Sequence, residues 1–173
     1  MLGMAAVAST VKQQHPTYED GQDIRDRSFD YACRVVGLCE QLDAGGRIGR
    51  LMVPQILSCS LSFAAMLEEA RAAESDNDFI SKCGIGLKEC RESWTRLRVC
   101  ERRRIGPAND VKALVQEGSE LVAIVTAIIR NKKRNVAAKR ASEEVARAAK
   151  KSPRAARQGT ASSTHSKFQI PNS

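Results

Sequence analysis

The sequence predicts an all-α protein: an antiparallel up-and-down four-helix bundle followed by a flexible basic C-terminal tail. Three observations predict it. Four segments repeat apolar residues at three–four spacing, the period of one helix face. The chain is rich in helix-forming Ala, Leu, Glu and Arg, and aromatics make up only 4 % of its 173 residues. Short breakers separate the four segments, which favours antiparallel neighbours.

Residues 1–21 show no period and contain Pro16 and Gly21, so they read as a flexible arm. The bundle is expected over residues 22–135. Asp23 can cap a first helix running to about Leu42. Its inward stripe would be Ile24, Ala32, Val35, Cys39 and Leu42, flanked by Phe29 and Val36, and Gly45-Gly46 would stop it. A second helix is expected from Gly49–Pro54 to about Ala73, with Leu57, Leu61, Ala64 and Leu67 inward. Pro54 suits only a first turn; an earlier start would put it inside the helix and kink it.

The segment "EEARAAESDNDF", residues 68–79, reads as a joint between helices rather than a binding loop. Ser75 with Asp78 forms an S-x-x-D capping pattern, and Asp76 and Asp78 suit a helix N-terminus. The third helix should run from Asp76 to Arg104 on the stripe Phe79, Cys83, Leu87, Cys90, Trp94 and Leu97. Gly84 and Gly86 are expected to let a neighbouring helix approach closely. After "IGPAND", the fourth helix should run to about Asn135 on Val111, Leu114, Gly118, Leu121, Val125 and Ile128, widened by Val115, Val122 and Ile129. Residues 136–173 read as a largely disordered basic tail whose first part could lengthen the fourth helix.

Charge is unevenly placed. Residues 1–129 carry 16 Lys/Arg and 18 Asp/Glu; residues 130–173 carry 12 and 2. Such a surplus suits phosphate neutralisation without sequence specificity. The candidate nucleic-acid-binding residues are Arg130, Lys132, Lys133, Arg134, Lys139, Arg140, Arg147, Lys150, Lys151, Arg154 and Arg157. A second basic patch is expected at Arg96, Arg98, Arg102, Arg103 and Arg104. No aromatic interleaves the tail charges before Phe168, so base stacking has little support.

Catalysis finds few candidates, and no catalytic residue is assigned. The only histidines, His15 and His165, lie in the two ends, outside the expected bundle. There is no Glu-x-x-His for a metal-binding bundle, no phosphate loop and no C-x-x-C pair. Cys33, Cys39, Cys59, Cys83, Cys90 and Cys100 read as reduced, buried thiols. Glu68-Glu69 and Glu89/Glu92 read as carboxylates that are solvated or paired with arginines, Arg71 and Arg91 being the natural partners across a helical hairpin. No stretch looks long and apolar enough to cross a membrane, and no signal peptide is evident, so a cytoplasmic protein without metal or cofactor is expected.

The segments "DIRDRSFDYACRVV", "GRIGRLMVPQIL", "LSFAAMLEEARAAESDNDFISKCGIGLKECRES" and "ELVAIVTAIIRNKKRN" together resemble a family of bacterial four-helix-bundle proteins, the ribosomal-RNA intervening-sequence proteins. The resemblance covers roughly the whole bundle. It implies a ring-like homopentamer and does not imply an enzyme, and it carries a distant likeness to the accessory protein of diversity-generating retroelements, which works with a reverse transcriptase and RNA. The chain departs from the family pattern at Ala64-Ala65-Met66, where a Gly-Ala-Asn step is usual, in the placement of Trp94, and in its longer basic tail. The expected function is a homo-oligomeric scaffold or accessory protein that binds RNA or DNA. The alternative is a protein–protein interaction module with no nucleic-acid role.

Overall fold

A computed structural model describes residues 23–151. The N-terminal arm, the tail beyond Lys151, and with them His15, His165, Arg154 and Arg157, lie outside the described residues. Four helices follow in order: α1 (Ile24–Ala44), α2 (Arg47–Arg71), α3 (Asp76–Arg103) and α4 (Ala108–Lys151). The chain divides after Lys132. The first unit contains the bundle. The described part of the second is the last stretch of α4, which is exposed from Ala137 to Lys150.

Side-chain pairings establish the antiparallel order. On α1 and α4, Arg27 meets Glu117 and Gln41 meets Asp110. On α2 and α3, Met52 meets Cys100, Ser60 meets Ser93 and Glu69 meets Lys82. On α3 and α4, Cys90 meets Gly118 and Asp76 meets Lys132. Each series runs in opposite directions along its two helices, which is the up-and-down topology.

Caps begin the helices where the sequence suggests. Asp23 accepts the Arg25 backbone N–H at 2.9 Å. Ser75 accepts the Asp78 N–H at 3.1 Å, while Asp78 Oδ2 accepts the Glu74 N–H at 3.3 Å. Such a cap stabilises a helix by about 1 kcal/mol. The polar joint at residues 74–78 is therefore folding punctuation.

Burial bears out the expected α1 stripe but corrects its flanks, and it corrects the phase of α2. On α1, Tyr31 and Leu38 join Ala32, Val35, Cys39 and Leu42 in the core, whereas Phe29 and Val36 are exposed. On α2 the buried stripe is Ile56, Cys59, Ser60, Phe63, Leu67 and Ala70; Leu61 faces outward, and Leu57 and Ala64 are half-buried. α2 also starts early, at Arg47, so Pro54 lies within the helix and the Arg50 carbonyl loses its usual intrahelical donor. α4 follows its expected stripe, with Val111, Leu114, Leu121 and Val125 buried.

Helix α2 departs from the membrane expectation as well. By length and composition alone it could cross a bilayer. No charge occurs between Arg50 and Glu68 because both faces of α2 are uncharged. One face is core. The other presents Leu51, Pro54, Ser58, Leu61 and Ala65, all exposed and spaced three–four–three–four.

The core contains a polar chain. Ser60 Oγ donates to the Ile56 carbonyl at 2.8 Å, and lies 2.7 Å from Ser93 Oγ, which lies 2.9 Å from the Tyr31 hydroxyl. Each hydroxyl has one proton to donate. With the Ser60 proton used, Ser93 donates to Ser60 and Tyr31 donates to Ser93. Three helices are thereby linked through one buried hydrogen-bonded string.

Candidate nucleic-acid interface

The basic part of α4 forms because its residues favour helix. "VAAKRASEEVARAAK" contains no Gly or Pro, and Ala, Glu, Lys and Arg are strong helix formers. Lys133, Arg134, Lys139, Arg140, Arg147 and Lys150 are all exposed there, against only two carboxylates, Glu143 and Glu144. Lys133, Arg140 and Arg147 recur every seven residues and so share a face, with slow drift. The backbone of Lys151 closes the helix. Arg130 is exposed too. Lys132 is different: its Nζ lies 2.6 Å from Asp76 and 5.5 Å from the Phe79 ring centre. It ties the end of the bundle together, and a phosphate would have to compete with Asp76 for it.

The second expected patch separates into two kinds of arginine. Arg96 is an internal tie: it reaches Glu92 at 3.2 Å, Gln55 at 3.3 Å and the Cys59 sulfur at 3.6 Å. Arg98 lies over the Trp94 ring, 4.7 Å from its centre. Both guanidiniums are thus engaged within the chain. Arg102, Arg103 and Arg104 remain exposed, and among the described residues none of the three forms an ion pair.

The carboxylates pair only partly as the sequence suggests. Glu68 meets Arg71 on its own helix at 3.5 Å, Glu69 meets Lys82 across the hairpin at 3.1 Å, and the partner of Glu92 is Arg96 rather than Arg91. One ion pair is nearly buried and was not anticipated. Arg27 Nε lies 2.6 Å from Glu117, with a second bond at 3.1 Å, and also meets Glu120. Glu117 interrupts the apolar stripe of α4 beside Gly118, and that interruption was the available signal.

Five of the six cysteines are buried and Cys33 is exposed; all six are free. Burial pushes the thiols up, Cys39 and Cys59 to about 11 and Cys90 to about 12. They stay protonated at neutral pH and are poor nucleophiles. Among the described residues no three His, Cys, Asp or Glu side chains gather as a metal site would require.

No protein-family model and no curated protein matches the chain. A solved structure does. It is a protein of unknown function from the S23 ribosomal protein family of Bacteroides thetaiotaomicron. The two chains are 28 % identical with a TM-score of 0.57, over 62 % of this chain and 98 % of the other. The chain is thus similar to an S23-family protein, and the likeness spans nearly all of that neighbour.

Proposed function

We propose that the protein is a non-catalytic, self-assembling accessory or scaffold protein of the cytoplasm that associates with RNA or DNA through exposed basic surface. The observation that carries the reading is the C-terminal stretch of α4, where Lys133–Lys150 holds six exposed cations against two carboxylates. A solvated helix needs no such surplus. Contacts of this kind neutralise phosphates and release counterions without reading sequence. The neighbour's placement in a ribosomal protein family accords with an RNA context, and the intervening-sequence resemblance extends that context to a reverse transcriptase or another protein partner.

Self-assembly, expected as a homopentamer from the family resemblance, is supported by the outer face of α2. Exposed apolar residues at helix-packing spacing suit a neighbouring helix. Assembly would also cluster the basic stretches and raise weak affinities by avidity.

The test is binding of the full chain to a mixed-sequence RNA and a DNA duplex at low salt. The same assay is run on Lys139→Gln/Arg140→Gln/Arg147→Gln/Lys150→Gln. Binding by the wild type, weakened in the variant on both ligands, is expected. Equal affinity would overturn the assignment to α4. The α2 face also favours a second reading, a module that recruits only protein. Co-purification of a protein partner after nuclease treatment, with no nucleic-acid binding, would establish it instead.

A further inference from the structure

The geometry points to a second phosphate-contact surface at the loop end of the bundle, built from Arg47 with Arg102, Arg103 and Arg104, engaging a nucleic-acid backbone independently of α4. It rests on the reading of the protein as a nucleic-acid binder.

The topology brings these residues together. In an antiparallel bundle the α1–α2 and α3–α4 turns share one end, and here one residue joins them. A Cβ at Gly49 would fall 2.4 Å from the Leu42 carbonyl oxygen, and a Cβ at Gly106 would fall 2.7 Å from Leu42 Cδ2. Both turns therefore close on Leu42. Arg47 is two residues before Gly49, and Arg104 is two residues before Gly106. The other end of the bundle holds the α2–α3 turn, with Lys132 bound to Asp76. In sequence, too, Arg47 and Arg102–Arg104 are well separated from the α4 basic stretch.

Local physics accounts for only half of the cluster. Arg102 and Arg103 lie in the last turn of α3 and complement its dipole. Arg47 is in the first turn of α2, where a cation meets the positive end of the helix and no acidic residue offsets it. Arg104 caps α3 with φ 54° and ψ 44°, a left-handed conformation that glycine adopts without cost. Two arginines therefore stand where their own helices would prefer another residue. Arg50 is held by Asp43 at 3.2 Å. Among the described residues no carboxylate pairs with Arg47, Arg102, Arg103 or Arg104, and all four are exposed. Four unpaired guanidiniums from two adjoining turns make a surface for successive phosphates, each approached bidentately.

The test uses the full chain and a mixed-sequence DNA duplex, with affinity measured against salt. Arg47→Gln/Arg104→Gln is expected to flatten the log–log slope by roughly two contacts' worth, about 0.9 each. The same pair of changes added to the α4-neutralised variant should weaken its residual binding further. Arg104→Gly separates structure from recognition: its melting temperature should rise while its binding weakens, and Arg104→Lys should keep the slope. A wild type that binds with its slope unchanged in Arg47→Gln/Arg104→Gln overturns this surface and leaves the α4 reading standing. A wild type that does not bind at low salt overturns both.

Discussion

Ser93 is the junction of the buried hydroxyl string, accepting from Tyr31 and donating to Ser60. Replacing it with alanine strands the Tyr31 hydroxyl in a site with no solvent. The expected loss is about 1–3 kcal/mol in a denaturant melt, the cost of an unsatisfied buried donor. Tyr31→Phe, which leaves Ser93 and Ser60 paired with each other, should cost less. Equal costs would contradict the donor order. Neither residue was visible as a core polar group in the sequence, where inward positions were sought among apolar side chains. Yet Cys83, Gly86, Cys90, Ser93, Leu97 and Cys100 keep one unbroken three–four spacing, and a reading that admitted small polar residues would have found Ser93.

A second residue-level expectation concerns acid. Arg25 donates from its guanidinium and its backbone N–H to Asp23, and holds that carboxyl down at about 2 from an ordinary 3.8. A depressed carboxyl contributes its stability in full above the unfolded value and loses it as pH falls through the folded one. That window runs from about pH 4 to about pH 2. Because the pair is open to solvent the contribution is small. Asp23→Asn keeps a capping oxygen but does not titrate, so its melting temperature should fall less steeply across this window. An identical acid slope would contradict the pairing.

Among the elements, the glycines of α3 give the sharpest contrast. Sequence reading assigned close helix approach to both Gly84 and Gly86. Only Gly86 has it: a Cβ there would meet Met66 Cβ at 3.1 Å, whereas one at Gly84 meets nothing within 4 Å. Gly84→Ala should stabilise by up to about 1 kcal/mol through helix propensity. Gly86→Ala should destabilise by about 1–3 kcal/mol, because the contact atom is fixed close to the α2 backbone and cannot swing away. Thermal melts of the two variants moving in the same direction would contradict this packing.

The same contrast explains which elements were legible. In α4 the stripe from Val111 to Val125 is bounded by Lys112, Gln116, Ser119 and Glu120, so polar residues set its phase. In α2 the run Leu51–Leu67 has no charge on either side, and nothing in the sequence distinguishes Leu61, outside, from Phe63, inside. Pro54, which suits a first turn, points to a later start than the observed Arg47. The basic candidates divide similarly. The dense cations of α4 and Arg102–Arg104 stand out as local runs. Arg47 does not, because its company at the loop end comes from residues far along the chain and depends on how two turns close on Leu42.

For the whole molecule, assembly and nucleic-acid association make separate demands. If the outer face of α2 is the assembly surface, Leu51→Glu/Leu61→Glu should reduce the mass measured by light scattering while leaving helicity unchanged, since both side chains are exposed in the single chain. An unaltered mass would place assembly elsewhere or show none. The central claim is that exposed cations bind phosphate without reading sequence. It is tested most directly by the affinity of the full chain for nucleic acid as a function of salt. The account predicts measurable binding at low salt, similar for unrelated sequences, with log affinity falling linearly as log salt rises. Absence of binding at low salt, or affinity indifferent to salt, would contradict it.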